Sequence, residues 1–128
     1  MYKILLVEDD ETQRRMIQSL LESPVYEITT ANDGRAAIHE LAIGSFDVIL
    51  LDLHTPLVRG ELVIQWVLKN RRESISHILV ITGLISQGLQ AMLQSLDIRL
   101  LSKPFLKQDL IGEIERITGG ASERLATV

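Results

Sequence analysis

Five short apolar runs recur along the chain: "YKILLV" (2–7), "YEITT" (26–30), "DVILL" (47–51), "HILVIT" (77–82) and "IRLL" (98–101). Each is followed by a segment with helical spacing, and this alternation constrains the fold more than any other feature. Three of the runs are continuously aliphatic, the pattern of parallel strands buried on both faces. Val, Ile and Thr dominate them, which favours strand over helix. Between the runs, Met16, Ile17, Leu20 and Leu21 share one face of a helix over roughly 12–22. Ala37, Ile38 and Leu41 do the same in 34–43, and Val63, Ile64, Val67 and Leu68 in 61–70. Ile85, Leu89, Met92, Leu93 and Leu96 form an amphipathic stripe, and Leu110, Ile111, Ile114 and Ile117 close the series in 107–118. A strand–helix unit repeated five times with short links predicts one parallel sheet, helices on both faces and right-handed crossovers.

The length of 128 residues suits one domain with one core. The pattern ends near residue 118, so residues 1–118 are expected to form the domain. Residues 119–128, "GGASERLATV", are expected to be a flexible tail or the start of a linker, with Gly119 and Gly120 ending the last helix. Apolar residues make up 46% and charged residues 23%, ordinary for a soluble globular protein. The net charge of −4 argues against nonspecific nucleic-acid binding. Without cysteine there is no disulfide framework, thiolate metal site or cysteine nucleophile, which fits a reducing compartment. No apolar stretch approaches the roughly 20 residues of a membrane span. The apolar run at Ile4–Val7 is too short for a signal peptide. The expectation is a cytoplasmic protein with no membrane insertion and no direct nucleic-acid contact.

In parallel α/β sheets, ligands bind beyond the carboxyl ends of the strands. The first strand delivers four consecutive acids there, Glu8, Asp9, Asp10 and Glu11. Like charges so close repel unless a cation or a helix start compensates, so the run is either a strand meeting water or part of an anionic site. The third strand delivers Asp52, the fourth Thr82 and Gly83, and the fifth Ser102, Lys103 and Pro104; the second supplies only the turn "ANDG". Carboxylates suit a hard divalent cation such as Mg²⁺, which takes few protein ligands plus water and phosphate oxygens. A lysine and a hydroxyl beside it can receive the other oxygens of a phosphoryl group. Taken singly, the acids also read as helix starters, Thr82 as a strand residue and Lys103 as a solvated loop residue. The constellation is more specific than its members.

The stretches "KILLVEDDE", "ANDG", "FDVILLDLHTP" with Gly60 beyond it, "VITG" and "LSKPF" together resemble the receiver (phosphoacceptor) domain of two-component response regulators, over about residues 2–118. The resemblance implies a flavodoxin-like, doubly wound three-layer (βα)5 sandwich with strand order 2-1-3-4-5. It implies a signalling domain, not an enzyme, that assists its own phosphorylation and dephosphorylation. By motif position Asp52 is the phosphoacceptor. Glu8 and Asp9 form the acidic pair, and Asp9, Asp52 and the backbone carbonyl of His54 contact Mg²⁺ or Mn²⁺. Thr82 and Lys103 receive the phosphoryl oxygens, and the Lys103–Pro104 peptide is cis. The implied partners are a sensor histidine kinase or phosphotransfer protein, and a downstream protein or an output domain outside this chain.

Three positions depart from the family pattern. Leu100 stands where a Tyr or Phe switch is usual, so readout through an inward-turning ring is not expected. Arg59 precedes Gly60 where an acid is common, and His54 sits two residues past Asp52, where side chains border the phosphoryl group. Lys69, Arg71 and Arg72 read as complement to a helix C-terminus, Trp66 as core, and His39 and His77 as lacking a metal-ligand companion. Gln87, Gln90 and Gln94 give the fourth helix a polar, uncharged face, which argues against a charge-paired dimer through the fourth helix, fifth strand and fifth helix. Two rivals share the chemistry or the scaffold: an Mg²⁺-dependent phosphohydrolase of the haloacid dehalogenase type, and a degenerate receiver acting only as a protein-interaction scaffold. The first wants a second Asp where this chain has His54. A flavodoxin-type FMN carrier is excluded, because acids occupy the phosphate-loop position.

Overall fold

The computed structural model describes residues 1–53 and 58–119, the side chains of Val58 and Arg59 excepted. The expectations for His54, for the Arg59 side chain and for the tail from Gly120 onward lie outside the described residues. The elements run β1 (Tyr2–Val7), α1 (Glu11–Leu20), β2 (Tyr26–Ala31), α2 (Gly34–Ile43), β3 (Val48–Leu53), α3 (Val58–Asn70), β4 (Ile78–Thr82), α4 (Gln87–Ser95), β5 (Arg99–Ser102) and α5 (Lys107–Thr118). All strand pairs are parallel, in the order β2-β1-β3-β4-β5. The chain therefore winds outward in both directions from β1 and β3, and the strand order reverses between them.

Alternation along the strands divides the core into two layers. Ile4 and Leu6 of β1, Val48 and Leu50 of β3, and Leu79 and Ile81 of β4 pack with Ile17 and Leu21 on one face and Leu110 and Ile114 of α5. Leu5 and Val7, Ile49 and Leu51, and Ile78 and Val80 pack on the other, with residues of α2, α3 and α4. β1, β3 and β4 are thus buried on both faces, as their unbroken aliphatic runs require. The edge strand β2 has only Ala31 buried, which is why its sequence reads as mixed.

Side-chain caps set where the helices begin. Asp10 accepts a hydrogen bond from Gln13 N, Asp33 from Ala36 N and Ser86 from Leu89 N, each satisfying an otherwise unpaired amide of the first turn. Gly119 closes α5 at φ 74°, a left-handed conformation that glycine adopts without strain.

Two residues depart from the expected apolar faces. Met16 is 47% exposed, since Ile17 and Leu21 already fill the contact between α1 and the sheet. Ile85 is 44% exposed and precedes α4, because the Ser86 cap starts the helix one residue later. A 3-10 helix, Arg72–His77, lies between α3 and β4; it buries only Ile75 and has no periodic apolar signal. Trp66 is half-buried against the α2–α4 layer, as core packing requires.

Candidate functional site

Strand register brings the chemistry together. Val7 pairs with Leu51 across β1 and β3, so the next residues, Glu8 and Asp52, emerge side by side. Thr82 pairs with Ser102 across β4 and β5, and Lys103 N donates to Thr82 O at 2.9 Å, so the lysine leaves the sheet at the same level. Strand parity also sorts the side chains. Glu8, Asp52 and Lys103 continue the series Ile4–Leu6, Val48–Leu50 and Leu101 on the α1/α5 face. Thr82 continues Ile78–Val80 on the opposite face.

Among the apolar strand ends three polar residues are buried: Glu8 at 1% exposure, Asp52 at 6% and Thr82 at 2%. Lys103 Nζ lies 2.6 Å from Asp52 Oδ1 and donates a hydrogen bond to Gln13 Oε1 at 2.9 Å. The contact with Asp52 is an ion pair by distance but lies outside hydrogen-bond alignment. Among the described residues, neither buried oxygen of Asp52 accepts a hydrogen bond from a fixed, aligned donor. Such orphaned buried oxygens are rare in native folds and mark a place reserved for another group.

Glu8 is held by Asp10 N, which donates to its Oε2 at 3.1 Å, while Arg14 Nη1 donates to the Glu8 backbone oxygen at 3.2 Å. Burial pushes the Glu8 carboxyl up to about 9, helped by a proton it can share with Asp52 and by the negative charge of Asp52. The Asp10 amide pulls the other way and does not offset burial. Asp9 is exposed beside this pair. Asp10 and Glu11 have other work: Asp10 caps α1, and Glu11 pairs with Arg15 one turn on, at 2.7 Å. The four acids therefore separate into two at the pocket and two at the helix start.

The Thr82 hydroxyl faces its own loop. It donates to Leu84 O at 3.2 Å and accepts from Leu84 N at 3.1 Å, closing a tight turn after β4. Leu100, in register with Val80, packs against the α2–α4 layer as a half-buried aliphatic residue. The Lys103–Pro104 peptide is cis. At Gly60 in α3, an added Cβ would stand 2.3 Å from Leu53 Cδ2, so the missing side chain lets the helix start close over the end of β3.

The donor set fits a small hard cation. Among the described residues, no three His, Cys, Asp or Glu side chains converge closely enough to hold an ion alone. Mg²⁺ needs no such cage: one or two carboxylates, a carbonyl and waters suffice. Asp52, whose oxygens have no fixed, aligned donor among the described residues, and Asp9 at the rim supply the two carboxylates.

Sequence reasoning missed Gln13. A glutamine in the first turn of a helix reads as solvated. Yet it lies one turn beyond Asp9, on the side of α1 that the capped helix start turns toward the strand ends. The surface of α4, β5 and α5 also carries more charge than the glutamines of α4 suggest. Glu113 of α5 is paired with both Arg99 of β5 and Arg116, so these charges are satisfied within the chain.

The fold and pocket define a class: a flavodoxin-like α/β domain carrying a buried, lysine-paired aspartate at the switch point of the sheet. The chain belongs to the response regulator receiver domain family, whose profile matches residues 4–115. This is a family of signalling domains, not of classical enzymes. The response regulator receiver protein CpdR of Brucella abortus is 34% identical over 121 residues, covering 91% of this chain and 97% of that protein. The cell cycle response regulator CtrA of Brucella ovis is 28% identical over 90% of this chain, which spans only 49% of CtrA. Among solved structures, the chemotaxis protein CheY4 of Vibrio cholerae is 29% identical with a TM-score of 0.77, covering 91% of this chain and 98% of that one. The receiver domain of the sensor histidine kinase PA1611 of Pseudomonas aeruginosa is 26% identical with a TM-score of 0.79, covering 92% and 98%; that structure is described with a magnesium ion coordinated in its active-site cleft. No helix among the described residues is long and apolar enough to cross a membrane.

Proposed function

We propose that this domain accepts a phosphoryl group on Asp52 from a histidine kinase or phosphotransfer protein, and that the modified state switches a protein contact downstream. One observation carries the reading: Asp52 is buried with the Lys103 ammonium 2.6 Å away, while neither of its carboxylate oxygens has a fixed, aligned hydrogen-bond donor among the described residues. An ordinary structural aspartate would be capped or solvated. This one is held ready as a nucleophile.

Asp52 attacks phosphorus in line; its oxygen forms the new O–P bond as the donor's P–N or P–O bond breaks and the leaving group takes the electron pair. Lys103, already at the carboxylate, follows the charge onto a phosphoryl oxygen. Thr82 can offer its hydroxyl to a second oxygen once it releases the Leu84 backbone. Asp9, Asp52 and the backbone carbonyl of His54 are the proposed Mg²⁺ or Mn²⁺ ligands, with Glu8 beside them. When bound, the cation screens the repulsion between an anionic nucleophile and an anionic donor. Hydrolysis returns Asp52 to the free carboxylate, so the domain contributes to both the gain and the loss of its phosphoryl group.

The phosphoryl group biases two conformations by making contacts that only one of them offers. With Leu100 in place of an aromatic switch, readout passes through aliphatic packing against the α2–α4 layer. The haloacid dehalogenase alternative is set aside because the receiver family profile matches residues 4–115, from within β1 to within α5. Residues 1–118 form the proposed receiver unit, with the remainder a tail or linker. The test is incubation with Mg²⁺ and a small phosphodonor, followed by intact mass. A phosphoryl adduct is expected on the wild type and none on Asp52→Asn; labelling that survives the substitution refutes the assignment.

A further inference from the structure

We propose that Gln13 is a positioning residue for Lys103, its amide oxygen holding the ammonium beside Asp52 before and during phosphoryl transfer. This rests on the reading of Asp52 as phosphoacceptor. The observation is a bridge: Lys103 Nζ lies between Asp52 Oδ1 at 2.6 Å and Gln13 Oε1 at 2.9 Å, and the glutamine reaches it across 90 residues of sequence.

The chemistry of the two acceptors differs. A lysine is a compact point charge on a flexible stem, so an ammonium held by a single carboxylate moves when the charge of that carboxylate changes. Asp52 gives up its carboxylate charge when it forms the acyl phosphate. The Gln13 amide stays neutral throughout and keeps its grip on one N–H, leaving the other two for Asp52 and a phosphoryl oxygen. A carboxylate at position 13 would also hold the lysine, but would add negative charge beside Glu8, Asp9 and Asp52. The neutral amide avoids that.

Gln13 is itself fixed. Its backbone N–H donates to Asp10 Oδ1 at 3.0 Å, and Ile17, one turn on, is fully buried. The acid that starts α1 thus aims the glutamine that holds the lysine. Donors arranged before reaction need no reorganisation in the transition state.

The competing explanation is that the bond only ties α1 to the segment after β5. Rates of Asp52 labelling by phosphoramidate with Mg²⁺, read by intact mass at several sub-saturating donor concentrations, separate the two. Gln13→Met keeps the length without the oxygen, and Gln13→Ala is a second variant at this part-exposed helical position. Both are expected to label about tenfold more slowly, the loss of one charge-assisted hydrogen bond. Thermal midpoint and Mg²⁺ affinity are expected to match the wild type. In a Lys103→Met background the Gln13→Met change is expected to have no further effect, because it acts through the lysine. An unchanged rate, an equal drop without Lys103, or a drop matched by lost stability overturns the inference while the phosphoacceptor reading stands. A wild type that forms no adduct overturns the reading, and the inference with it.

Discussion

Glu8 and Asp52 lie side by side on adjacent strands, one residue past the Val7–Leu51 pair, and both are buried. Two carboxylates in that position cannot both ionise cheaply without a cation, and Glu8 carries the consequence. Its carboxyl is pushed from 4.5 up to about 9, first by burial and then by Asp52.

This sets the direction of a pH dependence. Below pH 4.5 Glu8 is protonated in the folded and unfolded chains alike. Between there and pH 9 the unfolded chain ionises while the folded one keeps its proton, so stability falls as pH rises, by at most about 1.4 kcal/mol per unit for a single proton. Denaturant unfolding with a chelator is expected to show declining stability from pH 5 to pH 9, and Glu8→Gln should flatten that decline. Mg²⁺ favours the ionised pair, so it is expected to stabilise the domain more at pH 8 than at pH 5.

Asp52→Asn removes the anion that opposes Glu8 and leaves Lys103 bonded to Gln13. Without metal, the variant is expected to be more stable than the wild type by about 1–2 kcal/mol, a site residue relieved of its functional strain. Thermal unfolding of the two proteins side by side, in chelator, checks it; a less stable variant would mean that the Lys103 ion pair outweighs the repulsion.

The Thr82 hydroxyl ties down the turn after β4 through both polar groups of Leu84. Thr82→Ala is expected to cost about 1 kcal/mol and to speed hydrogen exchange at the Leu84 amide, whereas Thr82→Ser should preserve protection. Equal exchange in all three proteins would remove the hydroxyl's role in that turn.

Gly60 owes its place to Leu53. Gly60→Ala gains helix propensity but drives a methyl into the leucine, so a net loss of about 1 kcal/mol is expected. In a Leu53→Ala background the same change should become stabilising. Measuring both single variants and the double variant gives the coupling directly.

How much of this was legible in the sequence follows from what each signal depends on. The limits of β1, α2 and α5 follow from the apolar runs and their spacing, because burial there is dictated by periodicity alone. The convergence of Glu8, Asp52, Thr82 and Lys103 followed from the rule that sites lie at carboxyl ends of parallel strands. Gln13 was hidden because a polar residue in a first turn looks the same whether it faces water or a lysine. The engagement of Thr82 with Leu84 was hidden because its partner is backbone, which has no sequence signature. Ile85 was misplaced because an apolar stripe does not mark its own start; Ser86, the capping residue, does.

The parity of the strands has a consequence for how such a domain can change over time. Glu8, Asp52 and Lys103 belong to the α1/α5 layer, while Thr82 and Leu100 belong to the layer of α2, α3 and α4. The sheet is a partition between a shelf that carries the acids and the lysine and a sounding board behind it. Under the proposed reading, drift in α2, α3 and α4 that spares Thr82 re-voices the message to a new listener while the acid, the lysine and its glutamine keep their arrangement. A graft of another receiver's α4 onto this sheet should therefore inherit the new listener and keep the old chemistry.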